Sequence, residues 1–403
     1  MSAQVARISE LAEQVRGVSY GKEEASRTPK PGYLPVLRAG NITDDGLVFD
    51  DLVYVPAARI SPKQMIRQHD VVIAASSGSL DVVGKAARAL ADFEGGFGAF
   101  CKVLRPRPGV DPAYFAHFFK THDYRRRVSA LAAGININNL RNEHLDDMMI
   151  PYPALPEQRR IAEVLDRTEA LRAKRRAALV QLDALTQSVF LDMFGDPARN
   201  PKGWPVVRFG DLLANIDSGW SPPCLDRPAM DHEWGVLKLG AVTWCEYDPT
   251  ENKALPPEVE PDVDIEVKAG DLLFSRKNTY DLVAACALVH DTPPRLMMSD
   301  LIFRLRLRAD AAMDPCFLHQ LLMYPTKRKG IQRLAGGSAG SMPNISKARL
   351  ASARIEVPPL PLQRAFAKHV TAIQSLKRSY GASLIELGGL AASLQYRAFR
   401  GEL

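Results

Sequence analysis

The chain repeats itself, and any fold must satisfy the repeat. A shift of 205 positions superimposes residues 139–194 on 344–399 without a gap, and 16 of those 56 positions are identical. Average composition would give about three or four by chance. The matches include Asn139/Asn344, Leu145/Leu350, Pro156/Pro361, Gln158/Gln363, Arg159/Arg364, Leu182/Leu387, Leu185/Leu390 and Phe194/Phe399. Upstream, Asp111-Pro112-Ala113-Tyr114-Phe115 answers Asp314-Pro315-Cys316-Phe317-Leu318, and Asp70-Val71-Val72-Ile73 answers Asp271-Leu272-Leu273-Phe274. The offset drifts only from about 200 to 205, which small loop insertions explain. The 403 residues are therefore a duplicated unit, each copy long enough to bury its own core.

Within each copy the texture changes sharply. Residues 1–150 and 204–357 carry short β-rich runs (Val71–Ala75, Leu272–Ser275, Leu301–Leu307) broken by Gly, Pro, Asn and Asp, as in a mixed α+β domain. Residues 156–194 contain no Gly or Pro after the opening Pro156, which suits a first helical turn. Their apolar residues follow a heptad through Ile161, Val164, Leu171, Ala178, Leu182, Leu185 and Val189, and Gly195-Asp196-Pro197 ends the helix. At 1.5 Å per residue such a helix is roughly 58 Å long. The second copy carries Phe366, Ile373, Leu376, Tyr380, Leu387, Leu390 and Leu394 on its seam, although Gly388-Gly389 costs about 1 kcal/mol each against Ala. Losses of that size are offset by packing against a partner helix. The two helices are expected to pair antiparallel, because the intervening domain lets the chain return. The predicted architecture is α+β, with tandem domains at 1–150 and 198–357, each followed by a long helix, at 151–197 and 358–403.

Composition narrows the function. The chain is 46% hydrophobic and 24% charged, ordinary for a globular protein. Lys plus Arg number 52 against 46 Asp plus Glu, a formal charge of +6 that is compatible with nucleic acid. Five scattered cysteines without a CxxC pair favour a reducing compartment over disulfides or structural zinc. The opening MSAQVARISE lacks a signal-peptide core, and no run approaches the roughly 18 apolar residues of a membrane span. The sequence reads as cytoplasmic and nucleoid-associated, with no membrane partner.

Catalytic signatures are missing. The stretch from Gly78 to Ala86 looks like a phosphate-binding loop, but it has one residue too many between the glycines, and Ala86 sits where Ser or Thr should hold magnesium. The acids between Pro261 and Lys268 suggest a nuclease cluster, yet they alternate with Val and Ile as on a half-exposed strand and have no counterpart in the first copy. The nearest histidines, His117 and His122, lie off one helical face, so no metal site is expected. No Asp/Asn-Pro-Pro-aromatic tetrapeptide of a methyltransferase occurs. A duplicated domain on a rigid helical spacer suits a bipartite DNA target instead, since half-sites one helical turn apart lie about 34–36 Å between centres.

The order of these motifs resembles the specificity (S) subunits of type I restriction–modification systems. The resemblance is carried by Leu155-Pro156-Glu157-Gln158-Arg159 leading into a long helix, by its repeat at Leu360-Pro361-Leu362-Gln363-Arg364, by the Asp-Pro-aromatic helix starts and by two dissimilar variable regions. It covers essentially the whole chain. It implies two target-recognition domains and a subunit without catalysis of its own, which directs two modification (methyltransferase) subunits and restriction subunits to a split sequence in double-stranded DNA. S-adenosylmethionine, ATP and magnesium are then expected on the partner subunits, with no cofactor on this chain. Leu362 departs from Glu157, whose charge near a helix N-terminus contributes about 0.3–1 kcal/mol; the second helix start is therefore expected to be weaker or buried.

Three recurring sets are candidate DNA contacts. One follows the central strand: Ser76, Ser77 and Ser79 in the first copy, Arg276, Lys277, Asn278 and Tyr280 in the second. The next is Arg125, Arg126 and Arg127, answered by Lys327, Arg328 and Lys329, a phosphate-contact pattern. The third is the Asn-rich turn with Asn136, Asn138, Asn139 and Asn142, in which Asn139 and its counterpart Asn344 are assigned to capping rather than to adenine. Arg38 and Lys238 occupy matching strand ends as readers or solvated charges, and Trp220, Trp244 and Tyr54 are assigned to core packing. Arg175 falls on the helical seam opposite the slot of Tyr380. Two other readings compete: a nuclease or modification enzyme whose motifs go unrecognised, and a coiled-coil scaffold with no nucleic-acid role.

Overall fold

The structure, a computed structural model, describes residues 4–132, 138–336 and 342–403. Two compact units divide it: Met1–Ala178 with Ser379–Leu403, and Leu179–Arg378. The long helices Leu155–Phe194 and Leu360–Ala398 each contribute to both units. Among the described residues no helix is long and apolar enough to cross a membrane.

Each unit is built on the same pair of sheets. In unit 1 an antiparallel sheet runs Ala12–Arg16, Cys101–Pro106, Val71–Ala74, Ala86–Arg88, and a second sheet runs Gly96–Phe97, Tyr33–Leu37, Val53–Pro56. In unit 2 the corresponding orders are Leu213–Ser218, Ile302–Leu307, Leu272–Ser275, Cys286–Leu288 and Asn252–Ala254, Gly235–Leu237, Leu296–Met297. The central strands Val71–Ala74 and Leu272–Ser275 are buried at every position and apolar but for Ser275, because both of their faces are covered. Buried charge registers them. Arg105 grips Asp70 with two hydrogen bonds of 2.8 Å, and Arg304 reaches Asp217 at 2.9 Å and Asp271 at 3.2 Å. The acids expected on a strand after Pro261 instead form a short 3-10 turn, Val263–Ile265, because the Asp262 side chain accepts from Asp264 N.

The helical layer begins at two Asp caps. Asp111 accepts from the N–H groups of Ala113 and Tyr114, and Asp314 from those of Cys316 and Phe317, starting Pro112–Phe118 and Pro315–Met323. The caps' own buried N–H groups need acceptors, and each long helix supplies one. Gln158 Oε1 accepts from Asp111 N at 2.9 Å while its Nε2 donates to Pro153 O at 2.8 Å. Gln363 does the same for Asp314 N at 2.8 Å, donating to Ala312 O at 3.0 Å and Pro358 O at 2.6 Å. Leu362, in place of Glu157, packs against the unit 2 core, so burial replaces the lost dipole contact.

In unit 1 the helices meet antiparallel. Ile161, Ala162 and Leu165 share a core with Ala398, Leu394 and Phe399 pack against it, and the Arg175 guanidinium lies 4.5 Å from the Tyr380 ring centre. In unit 2 Phe190 and Phe194 pack edge-to-face against Phe366, and Lys377 pairs with Asp183 at 2.7 Å, again antiparallel. The first seam row comprises Ile161, Thr168, Arg175, Leu182 and Val189, matched by Phe366, Ile373, Tyr380, Leu387 and Leu394. The second row differs from the sequence expectation. It lies four residues further on, at Leu165, Arg172, Leu179 and Thr186 and at Val370, Lys377, Leu384 and Ala391, while Val164 is only half-buried. Leu171, Leu185, Leu376 and Leu390 are not pairing residues; they are 45–52% exposed on the flank. The seam's second row holds Arg, Thr and Lys, so the neighbouring row looked the more apolar.

Replacing Gln363 by Leu removes the partner of three backbone groups, of which Pro358 O is buried, at about 1–3 kcal/mol for a buried group left unpaired. Urea denaturation of Gln363→Leu is expected to show a loss of at least about 2 kcal/mol. The exposed neighbour variant Arg364→Ala is expected to stay within about 0.5 kcal/mol of wild type.

Candidate nucleic-acid interface

The loop after each central strand is built by one plan. In unit 1, Ala75 O accepts from Leu140 N at 2.8 Å, and the strand pair Ser76–Ser77 with Asn138–Asn139 continues the ladder. In unit 2, Arg276 O accepts from Ile345 N at 2.8 Å and Lys277 bridges Asn344. Each loop then tightens: Val83 N donates to Ser79 O, and Val283 N to Thr279 O. It closes on a left-handed residue, Gly84 at φ 78° or Ala284 at φ 63°. A Cβ at Gly84 would lie 2.4 Å from a Val128 methyl, so glycine is required there as well as favoured.

An arginine braces each loop from the following helix. Arg125 donates to Val83 O at 2.8 Å and Asp81 O at 2.9 Å; Arg328 donates to Asp281 O and Leu282 O at 3.3 Å each. These two were expected at phosphates, and their guanidinium groups are instead committed to loop carbonyls. Lys327 is also corrected: it is buried against Glu356 at 2.5 Å and Arg354 O, tying the helix to the strand Arg354–Glu356. Asn278 is only 5% exposed, accepts from Thr279 N and reaches Thr243 Oγ1, so it shapes the loop and does not read bases. Arg38 and Lys238 each have a carboxylate, Asp51 at 2.6 Å and Glu251 at 3.1 Å.

Other expectations meet the structure unevenly. Asn139 and Asn344 are not caps: both sit in ladders, and the caps of the next short helices are Arg141 and Ser346. Asn344 Oδ1 accepts from Arg276 Nε at 3.2 Å, which holds that guanidinium over the Phe303 ring. Asn142 Oδ1 accepts from Lys102 Nζ at 2.7 Å, and burial pulls the Lys102 ammonium down to about 8, with Asp146 opposing the shift. Asn136 lies outside the described residues, and Asn138 is placed by its backbone alone. Trp220 and Trp244 do not pack in the core, being 42% and 77% exposed. The loop Cys245 behind Trp244 is held by buried His319, whose Nε2 lies 3.2 Å from Cys245 O and 3.0 Å from Cys286 O; burial lowers its pKa.

Half-exposed or open at the loops are Ser76, Ser77, Ser79 and Leu80 in unit 1 and Lys277 and Tyr280 in unit 2, with Arg126, Arg127 and Lys329 exposed on the bracing helices. Phe100, 65% exposed, was missed by sequence reasoning. Its carbonyl accepts from Ala75 N and Ser76 N, which fixes it beside the unit 1 loop. The sequence did hold one signal for the loops. Ser79-Leu80-Asp81-Val82-Val83 answers Thr279-Tyr280-Asp281-Leu282-Val283, inside the stretch that imitates a phosphate-binding loop. Among the described residues no group of three or more His, Cys, Asp or Glu is placed to hold a metal ion.

Comparison with known proteins follows the same lines. The type I restriction modification DNA specificity domain matches residues 2–181. The EcoKI type I restriction enzyme specificity subunit of Escherichia coli K12 is 30% identical over 417 residues, covering 99% of this chain and 89% of that protein. The StySPI specificity subunit of Salmonella potsdam is 30% identical over 415 residues, with 99% and 88% covered. The fold is similar to the crystal structure of the type I restriction–modification S subunit of M. genitalium, at a TM-score of 0.58 and 15% identity over 99% of this chain and 96% of that one. Matched by such relatives at 30% identity over 99% of its length, the chain belongs to the specificity subunits of type I restriction–modification systems.

Proposed function

We propose that each unit reads one half of a split, asymmetric DNA sequence, and that the chain brings modification and restriction subunits to that sequence. The observation that carries this reading is the duplicated loop. One frame, braced by Arg125 or Arg328, presents Ser77 to Leu80 in unit 1 and Lys277 to Tyr280 in unit 2. A shared frame fixes position, while unlike side chains discriminate base edges. Different loops on the same frame therefore suit two different half-sites. The chain performs no turnover in this scheme; S-adenosylmethionine, ATP and magnesium act on the partner subunits.

A second duplication supports two modification subunits. Leu171 repeats as Leu376 and Leu185 as Leu390. Unit 1 thus exposes Leu171 and Leu390, and unit 2 exposes the equivalent Leu376 and Leu185. Each pair falls on the same flanking row of its antiparallel seam. Two equal apolar edges suit two copies of one partner.

Changing Tyr280 to Ala is expected to relax one base position of one half-site, at a cost of about 1–3 kcal/mol, and to leave the other half intact. Genome-wide mapping of methylated bases in cells carrying the variant reads this directly; unchanged specificity would remove Tyr280 from the interface. Lys277→Ala is instead expected to weaken all sequences alike and lower the salt slope by about one.

The double variant Leu171→Asp, Leu390→Asp is expected to leave a complex with one modification subunit, seen as a lower mass in light scattering. Full occupancy would place the docking edge elsewhere. Each helix runs from one unit into the other, so adding one turn to both is expected to change the number of unread base pairs between half-sites in the same methylation map.

A further inference from the structure

In unit 2 the segment after the first long helix lies along the domain. Past Phe194, Asp196 Oδ1 accepts from Thr326 Oγ1 at 3.3 Å beside the start of the helix Pro325–Gln332, and Pro197 is buried. The segment ends where Pro205 O accepts from Val357 N at 2.8 Å, next to the strand Arg354–Glu356. The same track in unit 1 runs from Phe399, the counterpart of Phe194, past Asp123 to Met149 and Pro151. There it is an open groove of about 750 Å³. Residues 400–403 do not fill it: Glu402 N turns back to Arg397 O, and Leu403 O accepts from Arg160 at 2.8 Å.

We propose that this groove binds an extended acidic segment of a partner protein, one that carries a proline or aromatic side chain beside its carboxylates. The floor is apolar, formed by Phe118, Tyr124, Phe399 and Pro151, and Tyr124 is fully buried with a hydroxyl that has no partner among the described residues. The rim is cationic. Arg127 is exposed with no side-chain partner among the described residues, Arg400 lies 4.4 Å over the ring of Tyr396, itself 52% exposed, and His122 is exposed. Among the described residues the only side-chain carboxylate lining the groove, Asp123, is committed to Arg126 at 3.1 Å. A DNA duplex meets cations across a broad polar surface and does not place its backbone on an aromatic floor. An acid beside an apolar residue satisfies rim and floor together; in unit 2 the pair at this place is Asp196, on the Thr326 hydroxyl, and buried Pro197. In unit 2 the wall also differs: Lys327 and Glu356 pair where unit 1 has Tyr124 and Pro151.

The proposal does not rest on DNA reading, and its test uses no cognate DNA. The probe is a fluorescein-labelled peptide of the chain's own sequence from Gly195 to Trp204 carrying Arg199→Glu and Lys202→Glu. Its anisotropy with the full-length chain at low salt is expected to saturate below about 100 µM. The unaltered peptide is expected to bind more weakly, and the variant Arg127→Glu, Arg400→Glu to bind the acidic peptide at least tenfold more weakly with an unchanged melting curve. Three results would overturn the inference: no saturable binding, equal binding by the charge-reversed variant, or displacement of the peptide by a stoichiometric duplex oligonucleotide, which would give the groove to nucleic acid.

Discussion

Two buried glutamines hold the mixed α+β domains to the long helices. A helix N-terminus exposes unpaired N–H groups, and an Asp cap satisfies two of them, but the cap's own N–H then needs an acceptor in a place closed to water. Gln158 and Gln363, 1% and 0% exposed, provide it and spend their second polar atom on loop carbonyls. An amide alone has both the acceptor and the donor required; Glu would bring a charge, and Leu neither. The Asp-capped helix and the long helix thereby become one hydrogen-bonded piece in each unit. The identical Gln in both copies follows from this task, whereas the residue before it is free to be Glu157 or Leu362.

The duplication, the α+β character and the existence of the long helices were legible because they rest on periodicity and on Gly and Pro punctuation, which are local. The seam was legible in one row and misread in the other. Heptad patterns identify a seam by contrast, and here Arg172, Arg175, Thr186 and Lys377 dilute the contrast while flanking leucines restore it one row away. Polar seam residues survive because each finds a specific partner, such as the Tyr380 ring for Arg175 or Asp183 for Lys377. Those pairings exist only in the fold.

The candidate interface was less legible still, for a related reason. A cation in a sequence carries no mark of whether it faces solvent or a carbonyl. Arg125, Arg126 and Arg127 are consecutive, yet the first braces a loop, the second pairs with Asp123 and the third is open. The exposed aromatics Trp244 and Phe100 follow the same logic, since burial of an aromatic depends on what the neighbouring loop covers. The useful signal was the recurrence of a short pattern, Ser/Thr-x-Asp-x-Val, at matching places in two otherwise dissimilar domains. Recurrence within one chain marks the frame; divergence on that frame marks the side chains proposed as readers.

This division limits what the chain contributes electrostatically. Of the cations forecast at DNA, Arg38, Arg125, Lys238, Lys327 and Arg328 are engaged by carboxylates or carbonyls, and Arg276 is held between Asn344 and Phe303. Each phosphate neutralised contributes about 0.9 to the salt slope, so the few open cations, among them Lys277 and Lys329, supply only a modest part of the several contacts that tight binding needs. On the proposed function, cations spent on bracing loops, as Arg125 and Arg328 are, serve discrimination and add no grip. On the same reading the remaining grip comes from the proteins it assembles with, and that couples sequence recognition to complex assembly thermodynamically.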